Sequence, residues 1–229
     1  GTGAIINLLS ATDMKFYTGL EHVDPQEFIV RHYIDSVLNW IGYLNADMYS
    51  EPYDVTTNYL ITVTANDGIA LMDRLRFVAS DGSEYKGTAA LWGVLQIILA
   101  KINLPYTDVR ISLSSTFTGF SGDSDKTILH ETFINCANFY DEDGLAMTLR
   151  ECLDTILAPF GAFICQVNGS LYITDIHTLA TGGNITFQKF NTLTEAYIAD
   201  VTVNVDKAIS DIAYMGTCLL YTSDAADDM

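Results

Sequence analysis

Residues Thr148 to Ile176 read TLRECLDTILAPFGAFICQVNGSLYITDI, and this stretch decides the fold class. Thr148 with Glu151 three residues on is a capping box, its hydroxyl accepting from a free amide while the carboxylate reaches back. Leu149, Cys152, Leu153, Ile156, Leu157 and Phe160 then recur on one helical stripe. Pro159 and Gly161 close that helix. Next, Phe163 to Val167 alternates, Asn168-Gly169 supplies a turn, and Leu171 to Ile176 returns as a second strand. Asn-Gly suits the positive φ that both central positions of a type I′ hairpin require. A helix feeding a hairpin with a shared apolar face predicts an α+β chain. No side chain on this unit is chemically reactive.

Toward the N-terminus the pattern is β, which makes the chain β-rich. Ala4 to Leu9 is a short apolar run broken by Ser10 to Asp13. Phe28 to Ile34 alternates, Asp35-Ser36 turns, and Val37 to Leu44 alternates again with Leu38, Trp40 and Leu44 on one face. Gly42 inside that strand predicts close backbone approach or a bulge. Tyr49 to Tyr53 is an aromatic loop, and Tyr59 to Ala65 is a β-branched strand ended by Asn66-Asp67-Gly68. Thr88 is the expected cap of a second helix with Leu91, Val94, Leu95, Ile98 and Ile102 at helical spacing and Pro105 just after it. Val109 to Leu113 alternates, Thr116 to Lys126 is loop-like, and Ile128 to Asn135 is expected to be extended. Thr181-Gly-Gly183 marks a boundary, after which Ile185 to Phe190 and Tyr197 to Val205 read as strands. The expected organisation is a β-rich, barrel-like region over 1–66 and an α+β insert over 67–180 that contains 148–176. An incomplete further β region over 181–216 follows.

The formal charge is −18, from 11 Lys+Arg against 29 Asp+Glu. Gripping nucleic acid takes clustered cations, so specific nucleic-acid binding is not expected. At 49% hydrophobic and 17% charged the chain can bury a sizeable core. The longest apolar run, Leu91 to Ala100, is interrupted by Gly93 and Gln96 and falls short of a membrane span. No signal-peptide pattern is visible. The cysteines Cys136, Cys152, Cys165 and Cys218 show no paired spacing and are expected as core filler.

Catalytic chemistry does not emerge from the residues. His22, His32, His130 and His177 are scattered without HExxH or CxxC spacing. His130 and Cys136 could form a nucleophile pair only with a third, orienting group that the sequence does not identify. Asp141 to Gly144 and Asp123 to Asp125 look like pieces of a calcium loop but lack its remaining ligands, so both are expected as solvated turns. Trp40, Trp92, Tyr49 and Tyr53 could make a sugar platform, although both tryptophans fall on periodic elements and suit a core. Asn168-Gly-Ser170 and Asn184-Ile-Thr186 match a glycosylation acceptor by chance. No catalytic, cofactor-binding or metal-binding set results, so the expectation is a non-enzyme without cofactors.

One arrangement carries a family resemblance: Trp40-Ile-Gly-Tyr-Leu44, Tyr49-Ser-Glu-Pro-Tyr53 and Tyr59 to Gly68, then Phe139-Tyr-Asp-Glu-Asp-Gly144 and the helix–hairpin. In this order, over Ala4 to Leu179, the chain resembles tail proteins of phages and prophages of Bacteroides-type gut bacteria. More distantly it is similar to baseplate hub and tail-tip structural proteins. The resemblance implies tube-type β-barrel or sandwich modules with helix-containing inserts, arranged as a ring at the end of the tail tube. It implies further copies of the chain and other tail proteins as partners, a place in the virion after assembly in the host cytoplasm, and an acidic lumen that DNA slides past. No peptidase or lysozyme module of the kind some tail-tip proteins carry is recognisable. The rival expectation is a bacterial surface or secreted glycan-binding module built on β-sandwiches. A third is an enzyme with a carboxylate pair.

Residues 217–229 stand apart. Cys218 to Met229, CLLYTSDAADDM, resembles the conceptual translation of a transposase-type sequencing adapter. With the absence of an initiating methionine this leads to the expectation of a fragment of a longer protein. Asp224, Asp227 and Asp228 fall in that tail, and the acid excess survives without them.

Overall fold

The computed structural model describes residues 3–9, 24–50, 60–114, 121–192 and 194–205. The chain is α+β and rich in strand. Its first sheet contains β1 (Gly3–Leu9), β2 (Ile29–Ile34), β3 (Val37–Ser50) and β4 (Leu60–Asn66), all antiparallel in the order β1-β4-β3-β2. Asp35 and Ser36 turn β2 into β3 with φ of 48° and 66°, the geometry of a tight primed hairpin turn. The edges β1 and β2 do not pair, so the expected barrel is not closed among the described residues.

The β2–β3 ladder slips at Asn39, because His32 pairs with Trp40 but Tyr33 with Leu38. An extra residue in one strand reverses the alternation beyond it. Leu38 therefore shares a face with Ile41 and Tyr43, while Trp40 shares the opposite one with Gly42 and Leu44. This corrects the expectation of Leu38 and Trp40 side by side. At Gly42 the expected close approach is present: a Cβ there would lie 2.3 Å from the Asn66 carbonyl oxygen and 2.3 Å from the Trp40 ring.

A short ladder joins β5 (Thr88–Ala90) to β7 (Phe133–Asn135). The third sheet is the largest. It comprises β6 (Val109–Ser112), β8 (Ala162–Val167), β9 (Ser170–Asp175), β10 (Asn184–Phe190) and β11 (Tyr197–Asn204), in the order β11-β10-β6-β9-β8. Only β6 and β9 run parallel. Thr181-Gly-Gly183 immediately precedes β10, which pairs with β6.

Helices α1 (Gly68–Leu71), α2 (Leu91–Ile102), α3 (Ile128–Glu131), α4 (Leu149–Leu157) and α5 (Ile176–Thr181) pack on these strands. In α4 the capping box is complete: Glu151 N–H donates to Thr148 Oγ1 at 3.1 Å, and Thr148 N–H to Glu151 Oε2 at 2.7 Å. Leu149, Cys152, Leu153, Ile156 and Leu157 are buried, and Phe160 packs against them from a following turn that Gly161 ends at φ 58°. Asn168 and Gly169 have φ of 50° and 70°, as the hairpin requires. A Cβ on Gly169 would come within 2.6 Å of Leu38 Cδ2, so this turn abuts β3.

Three local expectations are corrected. Thr88 does not cap α2; it lies in β5, and the N-cap is Ala90 without a side-chain hydrogen bond. Ile128 to Asn135 is not extended throughout, because Thr127 and His130 form a capping box that turns α3 before β7 begins. Ile176 is not the end of a strand but the first residue of α5, with Asp175 as its cap.

One continuous core joins α2 and α4 to the two larger sheets. Leu95, Ile98, Leu149 and Leu153 contribute from the helices, Ile111 and Ile173 from β6 and β9, and Ile41 and Tyr43 from β3. Cys136 and Cys152 are buried in it as free thiols.

Candidate functional site

Asp108, just before β6, is the one carboxylate among the described residues with a fully buried side chain between two cations. Arg110 Nε lies 2.7 Å from one carboxylate oxygen and Lys189 Nζ, on β10, 3.1 Å from the other. Arg110 also donates to the Tyr172 hydroxyl, with its guanidinium 5.0 Å from that ring's centroid. Burial alone would raise the Asp108 pKa. The Arg110 hydrogen bond and charge, with Lys189 and Ser170 beside the carboxylate, outweigh burial and hold it below the ordinary value. A carboxylate clamped in its charged form is a poor proton carrier near neutrality. What it does is tie together β6, β9 and β10.

Asp175 works similarly. It accepts from Thr178 N–H at 2.7 Å as the cap of α5, and from Ser114 N–H at 2.5 Å and Ser114 Oγ at 3.0 Å. Burial raises its pKa and these donors more than offset that, so it lies below its usual value.

Gln166, buried on β8, reaches the other sheet. Its Oε1 accepts from Ile41 N–H at 2.7 Å and its Nε2 donates to the Ile41 carbonyl at 2.8 Å. The last carbonyls of α2 are also met from the first sheet's side. The single Tyr43 O–H is shared between Ile102 O at 2.8 Å and Asn103 O at 2.9 Å, and Gln26 Nε2 donates to Lys101 O and Ile102 O, each at 2.9 Å. These carbonyls would otherwise have no partner inside the helix.

The reactive candidates are placed apart or already committed. His130 Nδ1 accepts from Thr127 N–H at 3.0 Å, and its ring stacks on Trp92 with centroids 4.6 Å apart and lies tilted against Phe190 at 5.1 Å. That lone pair is therefore unavailable as a base toward Cys136. Burial pushes the Cys136 thiol up, and burial with Glu151 and Cys136 pushes Cys152 up to about 12. Neither is a ready nucleophile near neutrality. His32 and His177 are exposed on β2 and α5; His22, Tyr53 and Cys218 lie outside the described residues.

Asp141 Oδ1 closes its own turn, accepting from Asp143 N–H at 3.0 Å and Leu145 N–H at 2.7 Å. Asp123 pairs with Lys126 at 2.7 Å on the surface. Among the described residues no group of three or more His, Cys, Asp or Glu could hold a metal ion. Trp92 is buried core, while Trp40 is half-buried over Gly42; the side chain of Tyr49 is outside the description. No helix among the described residues is long and apolar enough to cross a membrane.

A different feature stands out on the surface. Nine large hydrophobic side chains are exposed among the described residues; Ile29, Tyr33, Ile34 and Val37 belong to the β2–β3 hairpin, and Phe28 immediately precedes it. β2 is also an edge strand. Neither this concentration nor the Asp108 cluster was identified from the sequence. The hairpin's signal was available: β2 carries two large apolar or aromatic residues on each of its alternating faces, Ile29 and Tyr33 on one and Val30 and Ile34 on the other. Comparison of the chain with family models, curated proteins and solved structures gives no match.

Proposed function

We propose that this chain is a structural component of a phage tail, of the hub, tip or baseplate, that assembles into a ring at the end of the tail tube. The observation that carries the reading is the apolar β2–β3 hairpin. A chain with a formal charge of −18 that still exposes Phe28, Ile29, Tyr33, Ile34 and Val37 together on an open sheet edge is built to be covered. The order of motifs supports the tail assignment over other assemblies. Its partners are further copies of the chain and neighbouring tail proteins in the virion, and the excess of acids keeps DNA moving through the lumen by like-charge repulsion. No catalytic step is assigned to it.

Electron microscopy and light scattering of the purified chain test this, with closed rings expected. A monomer at every accessible concentration that instead binds polysaccharide would replace the reading with a glycan-binding surface module.

A further inference from the structure

We propose that the ring is built by strand addition, the outer edge of β2 in one copy pairing with the outer edge of β11 in the next. The inference rests on the ring reading above and names the surfaces that make it. Ile41 gives both of its main-chain groups to Gln166, on the side of β3 away from β2. Arg31 stands opposite Ile41 in the antiparallel ladder, so its own N–H and C=O point away from β3, into the open edge. Among the described residues no strand pairs with that edge, nor with the outer edge of β11.

The exposed side chains of the two strands match. Ile29, Arg31 and Tyr33 continue the face of Tyr43, Ile41 and Leu38 onto β2, where they are exposed at the sheet edge, and Ile198, Asp200 and Thr202 are the exposed alternate residues of β11. β2 holds Arg31 and no acid, in a chain of 29 acids; β11 holds Asp200 and no base. Two β2 edges brought together would set Arg31 against Arg31 near their centre, and two β11 edges Asp200 against Asp200. Like charges directly opposite are unfavourable, whereas Arg31 opposite Asp200 is favourable. The charges thus select a head-to-tail contact, the kind that closes into a ring when its rotation permits. With Arg31 opposite Asp200, an antiparallel pairing sets Tyr33 on Ile198 and a parallel one sets Ile29 on Ile198.

The test uses the whole 229-residue chain with Arg31→Asp, Asp200→Arg and the double exchange, sized by light scattering and viewed by electron microscopy. Circular dichroism melts report folding. Each single variant should stay folded and associate at least about tenfold more weakly, from one opposite-charge contact turned repulsive. The double exchange should restore rings. Singles that assemble like the parent, or a double that stays dissociated, overturn the β2–β11 pairing and leave the ring reading standing; a monomeric parent overturns both. Independently, Arg31→Cys chains mixed with Asp200→Cys chains should yield a disulfide-linked dimer under mild oxidation that neither gives alone. Its absence from a mixture that still forms rings overturns the pairing.

Discussion

Gln166 occupies the place beside Ile41 that a continuation of β4 would fill. Tyr43 pairs with Asn66, so Ile41, two residues back, would meet residue 68. The chain instead leaves the sheet at Asp67 to turn α1, and a Cβ on Gly68 would lie 2.2 Å from Ile102 Cγ2. The carboxamide supplies one donor and one acceptor in that gap. Gln166→Leu keeps the volume but strands the N–H and C=O of Ile41, at a cost of about 2–4 kcal/mol for two buried groups. Urea unfolding should show the midpoint fall with an unchanged slope. Gln166→Glu supplies no donor while ionised and regains one when protonated, so its deficit should shrink in acid. An equal deficit at all pH values would contradict this role.

His130 makes a second prediction at this scale. Burial lowers its pKa, and the Thr127 amide requires an unprotonated Nδ1. Asp125 and Glu131 partly oppose the lowering and Lys126 adds to it. The unfolded chain takes up the proton first as pH falls. The stability from the neutral ring is therefore full above about 6.5, declines as pH falls from there through the lowered folded value, and levels off below. His130→Gln should remove that portion of the difference between parent and variant melting curves.

Among the elements, α4 and α2 differ in how their starts are built. Thr148→Ala removes one half of the box on α4 and should cost about 1 kcal/mol. Thr88→Ala should leave α2 nearly unchanged, because Ala90 is already an uncapped start. Differential scanning calorimetry of the two variants separates these outcomes. Leu153→Asp is more severe: the side chain is 1% exposed, and an unpaired charge there should abolish folding. A soluble variant as heat-stable as the parent would refute α4 as part of the core.

The same comparison explains what the sequence makes legible. Thr148 to Asp175 could be read because every interaction that defines it is local: cap, stripe, and positive φ at Asn168-Gly169. Thr88 was misread because Thr, three residues before an apolar stripe, also suits a strand, and the deciding partner, Asn135 on β7, is remote. Leu38 and Trp40 were misassigned because a one-residue bulge leaves no mark in a period-2 pattern. Gln166, Asp108 and Lys189 act across distant stretches of chain, where periodicity carries no information about pairing.

At the scale of the molecule, two opposing electrostatic effects should shape stability against pH. The excess of 29 acids over 11 bases repels itself in the compact state at neutrality. Raising salt from about 0.02 M to about 0.5 M shortens the screening length several-fold and should raise the melting temperature at pH 7. Moderate acid neutralises the same surface and should shrink that salt response. Further acid meets the buried carboxylates. Asp108 and Asp175 both have lowered pKa values, so their stabilisation is present above the unfolded-state value near 4 and is lost as pH falls through the lowered folded values. Melting temperature at low protein concentration should therefore hold or rise from pH 7 toward about 5, less the His130 contribution, and then fall steeply below about 4. Asp108→Asn leaves Arg110 and Lys189 without their counter-charge. It should cost about 3 kcal/mol at pH 7 and flatten the acid limb, since one of the protons taken up on acid unfolding is gone. An acid limb as steep in this variant as in the parent would mean that Asp108 is not among the groups that set it.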